Sequence, residues 1–257
     1  MYQRYVAVGD SQTEGLNDGS EATGYRGWAD RLAWMLAAHN PDLRYANLAV
    51  RGRLAAQIQS EQTRPALDLK PDLVTVMAGM NDLIRPGADV GRVAAALTEM
   101  IETFTDSGAT VVAFTFPDVA KIVPLARLAR GRVLDFNDRI RHAARRQDAV
   151  LVDTFCHPVC TDPRLWSPDR IHATPLGHAR IAAATAHALD LPGTDASWAT
   201  PLPPLPTPPP WQRAATEARW IATFVGPWIL RRLQGRSSGD GRTAKRPHLA
   251  AMGDPPR

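Results

Sequence analysis

The residues best placed to do chemistry come near the start of the chain, where Gly9-Asp10-Ser11 directly follows the apolar run 5–8. A short apolar run that ends in glycine and a polar turn predicts a buried strand followed by a tight turn. In open α/β sheets, ligands and reactive groups lie at the carboxyl ends of the strands. Ser11 is therefore a candidate nucleophile, but such a turn on its own is a weak signal.

A second pair of candidate residues, Asp169 and His172, lies far along the chain and precedes a helical pattern over 175–189. A serine hydroxyl becomes a good nucleophile only when a base takes its proton, and that base needs a carboxylate to hold its tautomer. In a loop before a helix, an aspartate and a histidine at this spacing can face the same rim. Because Ser, Asp, His is a known order of a catalytic triad, we predict a triad of Ser11, Asp169 and His172.

Two further blocks follow the next predicted strands: NLAVRGR at 47–53, which contains Gly52, and VMAGMND at 76–82, which contains Asn81. With the blocks around Ser11 and His172, they occur in the order typical of one enzyme family. Over residues 4–190 the chain resembles the GDSL or SGNH hydrolases, which are esterases and lipases.

The resemblance implies an oxyanion hole formed by the backbone N–H groups of Ser11 and Gly52 together with the side-chain amide of Asn81. Acyl transfer places negative charge on a carbonyl oxygen, and fixed donors aimed at that oxygen give a large stabilisation of the transition state. The resemblance implies no cofactor.

Short apolar runs alternate with amphipathic stretches through most of the chain. Strands are predicted near 4–9, 43–48, 72–78, 110–116 and 149–154. Helices are predicted near 25–39, 53–68, 88–106, 125–147 and 175–189. This alternation is typical of β-α units and of a parallel sheet covered on both faces. With the order that the family resemblance implies, we predict an α/β fold: a three-layer, flavodoxin-like, doubly wound sheet of about five parallel strands.

The composition is that of a globular protein, with 44% hydrophobic and 22% charged residues in a chain of 257. It contains no apolar run of the roughly 20 residues needed to span a bilayer, and no apolar cleavable segment precedes the first strand. We therefore expect a cytoplasmic protein. Cys156 and Cys160 offer too few ligands for a metal site, so we expect no metal, and free thiols suit a reducing compartment better than a disulfide.

The C-terminal quarter differs in composition from the rest. We divide the chain into a catalytic domain at 1–195, a Pro-rich linker at 196–210, an amphipathic helix at 211–234 and a basic tail at 235–257, for which we predict disorder. Residues 1–197 carry 21 basic and 23 acidic residues, a net charge of −2, whereas residues 211–257 carry nine basic and three acidic residues, a net charge of +6.

Three roles are compatible with the predicted C-terminal helix and its basic tail. The aromatic stripe that begins at Trp220 can dock on the catalytic domain, or it can lie on an anionic membrane surface, since apolar aromatics flanked by arginine suit an interface. The second role would give the protein a peripheral position at the inner membrane face. Binding to nucleic acid is the least favoured, because no recognised module accompanies the charge.

Other patterns have less chemical content. The sequence GRSSG at 235–239 matches the Gly-x-Ser-x-Gly nucleophile elbow, but it lacks the strand before it and the helix after it that this motif requires. Arg51 and Arg53 flank Gly52 and are candidates to orient an anionic substrate group, although exposed arginines are usually only solvated. We interpret His178 as a helical residue without a catalytic role.

The favoured function is a serine hydrolase that cleaves carboxylic esters with short or modest acyl chains through an acyl-enzyme on Ser11. Two alternatives remain open at this point. An acyltransferase would use the same triad to pass the acyl group to an alcohol, and a membrane-associated binding protein would retain the site only as a vestige.

Overall fold

In the computed structural model, the described residues are 1–206, 208–227, 230, 234–235 and 237–253. The strands are β1 (Arg4–Gly9), β2 (Gly19–Ser20), β3 (Gly24–Tyr25), β4 (Arg44–Asn47), β5 (Leu73–Met77), β6 (Thr110–Phe114), β7 (Val150–Val152) and β8 (Arg246–Ala251). The α-helices are α1 (Ser11–Glu14), α2 (Trp28–His39), α3 (Ala55–Asp68), α4 (Met80–Leu83), α5 (Val90–Asp106), α6 (Val119–Ile122), α7 (Arg130–Arg146), α8 (Pro175–Ala188) and α9 (Pro210–Trp220).

The main sheet has the strand order β7-β6-β5-β1-β4-β8. Every pairing from β7 to β4 is parallel, so the five predicted strands form the doubly wound core, and their order is flavodoxin-like. Every residue of β5 is buried, and so are all those of β1 beyond Arg4, which means that layers cover both faces of the sheet. Helices α2 and α8 pack together, and α5 packs between α3 and α7. The predicted fold class is confirmed.

The prediction that the C-terminal tail is disordered is wrong for its described residues, because they pack on the catalytic domain. Strand β8 pairs antiparallel with β4 and adds a sixth strand at the edge of the sheet. The Lys245 ammonium donates to the backbone oxygens of Glu14 (2.6 Å) and Tyr25 (2.8 Å) and to the Asp30 carboxylate (2.6 Å). Backbone pairing and these bonds to one lysine therefore order a segment whose composition alone predicts disorder.

The segment before the tail also departs from the predicted boundaries. Residues Ala196–Ala199 form a 3₁₀ turn with Trp198 buried, so the packed body extends slightly into the predicted linker. Helix α9 begins at Pro210 and continues as a π-helical turn at Ile221–Val225. The predicted helix also includes residues 228, 229 and 231–233, which lie outside the described residues. Among the helices of the described residues, none has the length and apolar character required to cross a membrane.

Candidate active site

Strand β1 ends at a backbone that only glycine allows. A Cβ on Gly9 would come within 2.4 Å of Thr13 Oγ1 and 2.5 Å of the Met77 backbone oxygen. The buried side-chain amide of Gln62 holds both backbone polar groups of Gly9, because its oxygen accepts from Gly9 N and its nitrogen donates to Gly9 O, both at 2.9 Å. Asp10 then caps the short helix α1 by accepting from Gln12 N. Ser11 is therefore held at the carboxyl end of β1, in the first turn of a helix.

The three predicted triad residues meet in space although 161 positions separate Ser11 from His172 in the sequence. Ser11 Oγ lies 2.8 Å from His172 Nε2, and His172 Nδ1 lies 2.8 Å from Asp169 Oδ2. With a proton on Nδ1, the imidazole donates to the carboxylate and leaves Nε2 free to accept from the serine. This arrangement is that of a serine nucleophile, a general base and an orienting carboxylate.

The Asp169 carboxylate is held by four hydrogen bonds. Oδ1 accepts from the backbone N–H groups of Ile171 (2.9 Å) and His172 (3.0 Å), and Oδ2 accepts from the amide of Asn17 (3.0 Å) as well as from the imidazole. Burial acts to raise the pKa of Asp169, but the hydrogen bonds and charge of His172 and the Ile171 N–H outweigh it and lower this pKa to about 2. Asp169 is therefore ionised across the physiological range.

Two polar residues that support the triad were missed by the sequence reasoning. The amide of Gln12 donates to Ile171 O (3.1 Å) and accepts from Ala173 N (3.2 Å), so it joins the serine turn to the histidine loop. Asn17, in a left-handed backbone conformation with φ of 68°, reaches Asp169 from the other side. The position of Gln12 directly after Ser11 is the only local signal that could have suggested its role.

Asn81 lies beside the serine turn, at the start of α4. Its Nδ2 donates to Asp10 Oδ2 and to Arg53 O, both at 3.1 Å. Burial raises the pKa of Asp10 to about 6, although hydrogen bonds from Gln12 N and Asn81 oppose this change. Neighbouring Asp82 accepts at 3.0 Å from the backbone N–H of Ala55, the first residue of α3. Asn81 thus lies next to the nucleophile, with both of its amide hydrogens directed at acceptors.

A buried ion pair between Arg51 and Glu14 holds the loop that contains Gly52. Arg51 is only 6% exposed, and its guanidinium and backbone N–H bind the carboxylate of Glu14. The suggestion that Arg51 contacts an anionic substrate is therefore wrong, because the side chain is buried and paired. On the other side of the loop, Ser237 Oγ donates to Gly52 O at 3.4 Å, and a Cβ on Gly239 would lie 2.0 Å from Arg51 O.

An apolar cavity of about 480 Å³ opens beside Ser11. Asp10, Asn81 and Asp169 border it at the catalytic end. Gly52 is not among the residues that line this cavity. The remaining lining comes mainly from apolar side chains of three segments: 84–87, 116–129 and 220–225.

His178 connects the serine turn to the helices behind it. Its Nδ1 accepts from Trp28 N at 3.2 Å, and its Nε2 donates to Leu16 O at 2.9 Å. The ring is fully buried, and burial lowers the pKa of His178 to about 4. It is therefore a neutral structural residue, as the sequence suggested. Within the described ranges, no cluster of three or more His, Cys, Asp or Glu side chains could hold a metal ion.

Several solved structures have the same fold as this chain. LAE5, an alpha/beta hydrolase enzyme from the metagenome of Lake Arreo, Spain, is 24% identical with a TM-score of 0.62, and the alignment covers 73% of this chain and 95% of that chain. Axe2, an acetylxylan esterase from Geobacillus stearothermophilus, is 17% identical with a TM-score of 0.61, over 76% of this chain and 97% of that chain. TesA is 22% identical with a TM-score of 0.61, over 73% of this chain and 98% of that chain.

Catalytic mutants of Axe2 replace a serine, an aspartate or a histidine. Each of these solved chains is matched over nearly its whole length, whereas about a quarter of the present chain has no counterpart in them. Among curated proteins, no sequence matches this chain. The GDSL-like lipase/acylhydrolase family matches residues 7–180, which is more than half of the chain and includes all four predicted blocks. The chain therefore belongs to the GDSL-like lipase/acylhydrolase family and is an ester-hydrolysing enzyme.

Proposed function

We propose that the protein hydrolyses carboxylic esters through an acyl-enzyme on Ser11. The observation that carries this proposal is the unbroken hydrogen-bonded series from Ser11 Oγ to His172 Nε2 and from His172 Nδ1 to Asp169, with 2.8 Å at each step. The Ser, Asp and His residue types also match those replaced in the catalytic mutants of Axe2.

The reaction proceeds in two halves. Ser11 Oγ attacks the ester carbonyl carbon while His172 Nε2 takes the hydroxyl proton, and the resulting tetrahedral intermediate collapses as His172 gives that proton to the departing alcohol. Water then attacks the acyl-enzyme, again losing a proton to His172, and the carboxylic acid leaves as Ser11 regains its proton. Asp169, ionised throughout, stabilises the imidazolium that forms in each half.

The oxyanion of each intermediate is held by the backbone N–H groups of Ser11 and Gly52 and by the amide of Asn81. The Asn81 amide already donates to Asp10 and to Arg53 O. In the transition state it therefore shares or redirects one of these hydrogens toward the oxyanion, whose full negative charge makes it a stronger acceptor than a neutral carbonyl.

A panel of p-nitrophenyl esters tests the proposal with the single variants Ser11→Ala and His172→Ala and the double variant. Each single change should reduce kcat by roughly 10⁴-fold or more, and the double variant should lose little further activity, because triad members act as a unit. Ser60→Ala is the matched control, since Ser60 is exposed and its hydroxyl donates to Gln57 O in its own helix. If Ser11→Ala retained more than about a tenth of the activity, Ser11 would not be the nucleophile.

The acyl-enzyme itself is tested by rapid mixing with a p-nitrophenyl ester. We expect a burst of p-nitrophenol equal to the enzyme concentration and a covalent mass increase on the peptide that contains Ser11. Direct attack of water would instead give no burst with any ester and no acylated peptide.

A further inference from the structure

The C-terminal segment that follows the Pro-rich linker forms one wall of the cavity beside the nucleophile. Trp220, Phe224 and Val225 line the same cavity as Ser11 and Asp169. Trp220 is 7% exposed although it belongs to a helix whose other residues are largely exposed. This segment lies beyond residue 180, where the family match ends. The wall therefore lies outside the part of the chain that the family match covers.

The wall contacts the loop that contains two of the triad residues, Asp169 and His172. Trp220 Nε1 donates to Asp169 O at 3.2 Å, and the guanidinium of Arg170 lies 4.8 Å from the centre of the Trp220 ring. The same guanidinium forms a two-pronged ion pair with Glu217, at 2.7 and 2.8 Å. Arg170 stands between Asp169 and His172 in the sequence, so these contacts fix the distance between the wall and the reacting atoms.

The chemistry of the cavity defines what it can bind. The cavity is also lined by apolar residues of the segment 116–129, among them Phe116, Val119 and Ile122. The volume of about 480 Å³ falls in the range of pockets that bind drug-sized apolar groups. An acetyl group would leave most of this space unfilled, whereas a longer apolar chain gains affinity from each methylene that it buries there.

We propose that the segment 210–227 is the specificity wall of the enzyme: Phe224 and Trp220 contact the apolar chain of the ester and set the chain length that it accepts. This inference rests on the proposed function, because it concerns the substrate of that site. The apolar chain can be the acyl or the alcohol part of the ester, since both meet at the carbonyl beside Ser11.

The test compares Phe224→Ala and Phe224→Trp with the wild type on two series of esters, p-nitrophenyl esters from acetate to dodecanoate and alkyl acetates from methyl to dodecyl. For wild type we expect kcat/KM to rise with chain length in one series. Phe224→Ala should lower kcat/KM for the eight-carbon member of that series about tenfold, and lower it less for the shortest member. Phe224→Trp should move the maximum to shorter chains. The series that responds identifies the part of the ester that contacts the wall.

Trp211→Ala is the matched control, because Trp211 lies on the same helix but is 72% exposed and does not line the cavity. It should keep the wild-type chain-length profile. Identical chain-length profiles of kcat/KM for wild type and both Phe224 variants in both series would refute the proposal.

Binding of 1-octanol, measured by calorimetry, separates the wall from the proposed function because it needs no ester bond and no turnover. Weaker binding of 1-octanol to Phe224→Ala, by about tenfold, supports the wall even if the variants of Ser11 contradict the acyl-enzyme. Equal binding, or no binding, by wild type and Phe224→Ala would refute the proposed role of Phe224 even if the serine mechanism is correct.

Discussion

Acidification should destabilise the fold through His178, the buried histidine that joins the serine turn to α2. Its Nε2 donates to Leu16 O in either charge state, but its Nδ1 can accept from Trp28 N only while the ring is neutral. Burial lowers its pKa from 6.5 to about 4 in the folded state. Between these values the unfolded chain binds the proton and the folded chain does not, so the free energy of unfolding falls as the pH falls.

The size of the effect follows from the two pKa values. Above the unfolded pKa of 6.5, His178 does not reduce the free energy of unfolding. By about pH 5 it lowers the free energy of unfolding by about 2 kcal/mol. Asp10 acts in the opposite direction, because burial raises its pKa from 3.8 to about 6. Its folded form binds the proton first, so it adds about 1 kcal/mol of stability at about pH 5. In the pH dependence of wild-type stability alone, the contribution of Asp10 would therefore hide most of the contribution of His178.

Urea unfolding of wild type and His178→Gln at about pH 7.5 and about pH 5 isolates this term. The glutamine can supply both an acceptor and a donor and does not titrate. We expect the stability of wild type relative to the variant to fall by about 2 kcal/mol between the two pH values. His187→Gln, a change in the same helix α8, controls for loss of a histidine and should keep the wild-type pH dependence. An equal pH dependence for wild type and His178→Gln would refute the reasoning.

Two further predictions concern the oxyanion side of the serine. Asn81→Ala should lower kcat by roughly 10²–10³ with a much smaller change in KM, because the amide acts mainly on the transition state; a large rise in KM at constant kcat would assign Asn81 to substrate binding. Gly239→Ala should cost about 1–3 kcal/mol of stability and lower kcat, because the new methyl group would lie 2.0 Å from Arg51 O, next to Gly52. Thermal unfolding and ester assays measure these effects. Gly253→Ala is the control and should behave as wild type, because a methyl group there would meet none of the described residues within 4 Å.

The parallel core and the triad could be predicted because their signals are local. Each buried strand is a short apolar run, and each observed strand of the parallel sheet lies within its predicted range. The residues of the triad follow such strands or precede a helix, and parallel strands bring their carboxyl ends to one edge of the sheet. Gln12 and Asn17 have no comparable pattern, since a single amide near a turn carries no signal of the loop 152 or more positions away that it contacts.

The contacts of the C-terminal region could not be predicted, because they depend on partners distant in sequence. Strand β8 is a mostly exposed edge strand without an alternating apolar pattern, and it is ordered by pairing with β4. Arg51 illustrates the same difficulty: nothing near it in the sequence shows that Glu14, 37 positions earlier, will be buried beside it. The expectation that the basic tail binds an anionic membrane surface stays a prediction, and Lys245 at least is engaged with the body.

The extension beyond residue 180 contacts the catalytic machinery at two separate points. On one side, Trp220 and the Arg170–Glu217 ion pair hold the loop between Asp169 and His172. On the other side, the segment 237–239 packs against the backbone of the loop that contains Gly52. Because both contacts involve backbone that carries site residues, the extension can affect the geometry of the triad and of the oxyanion loop without supplying a reacting group.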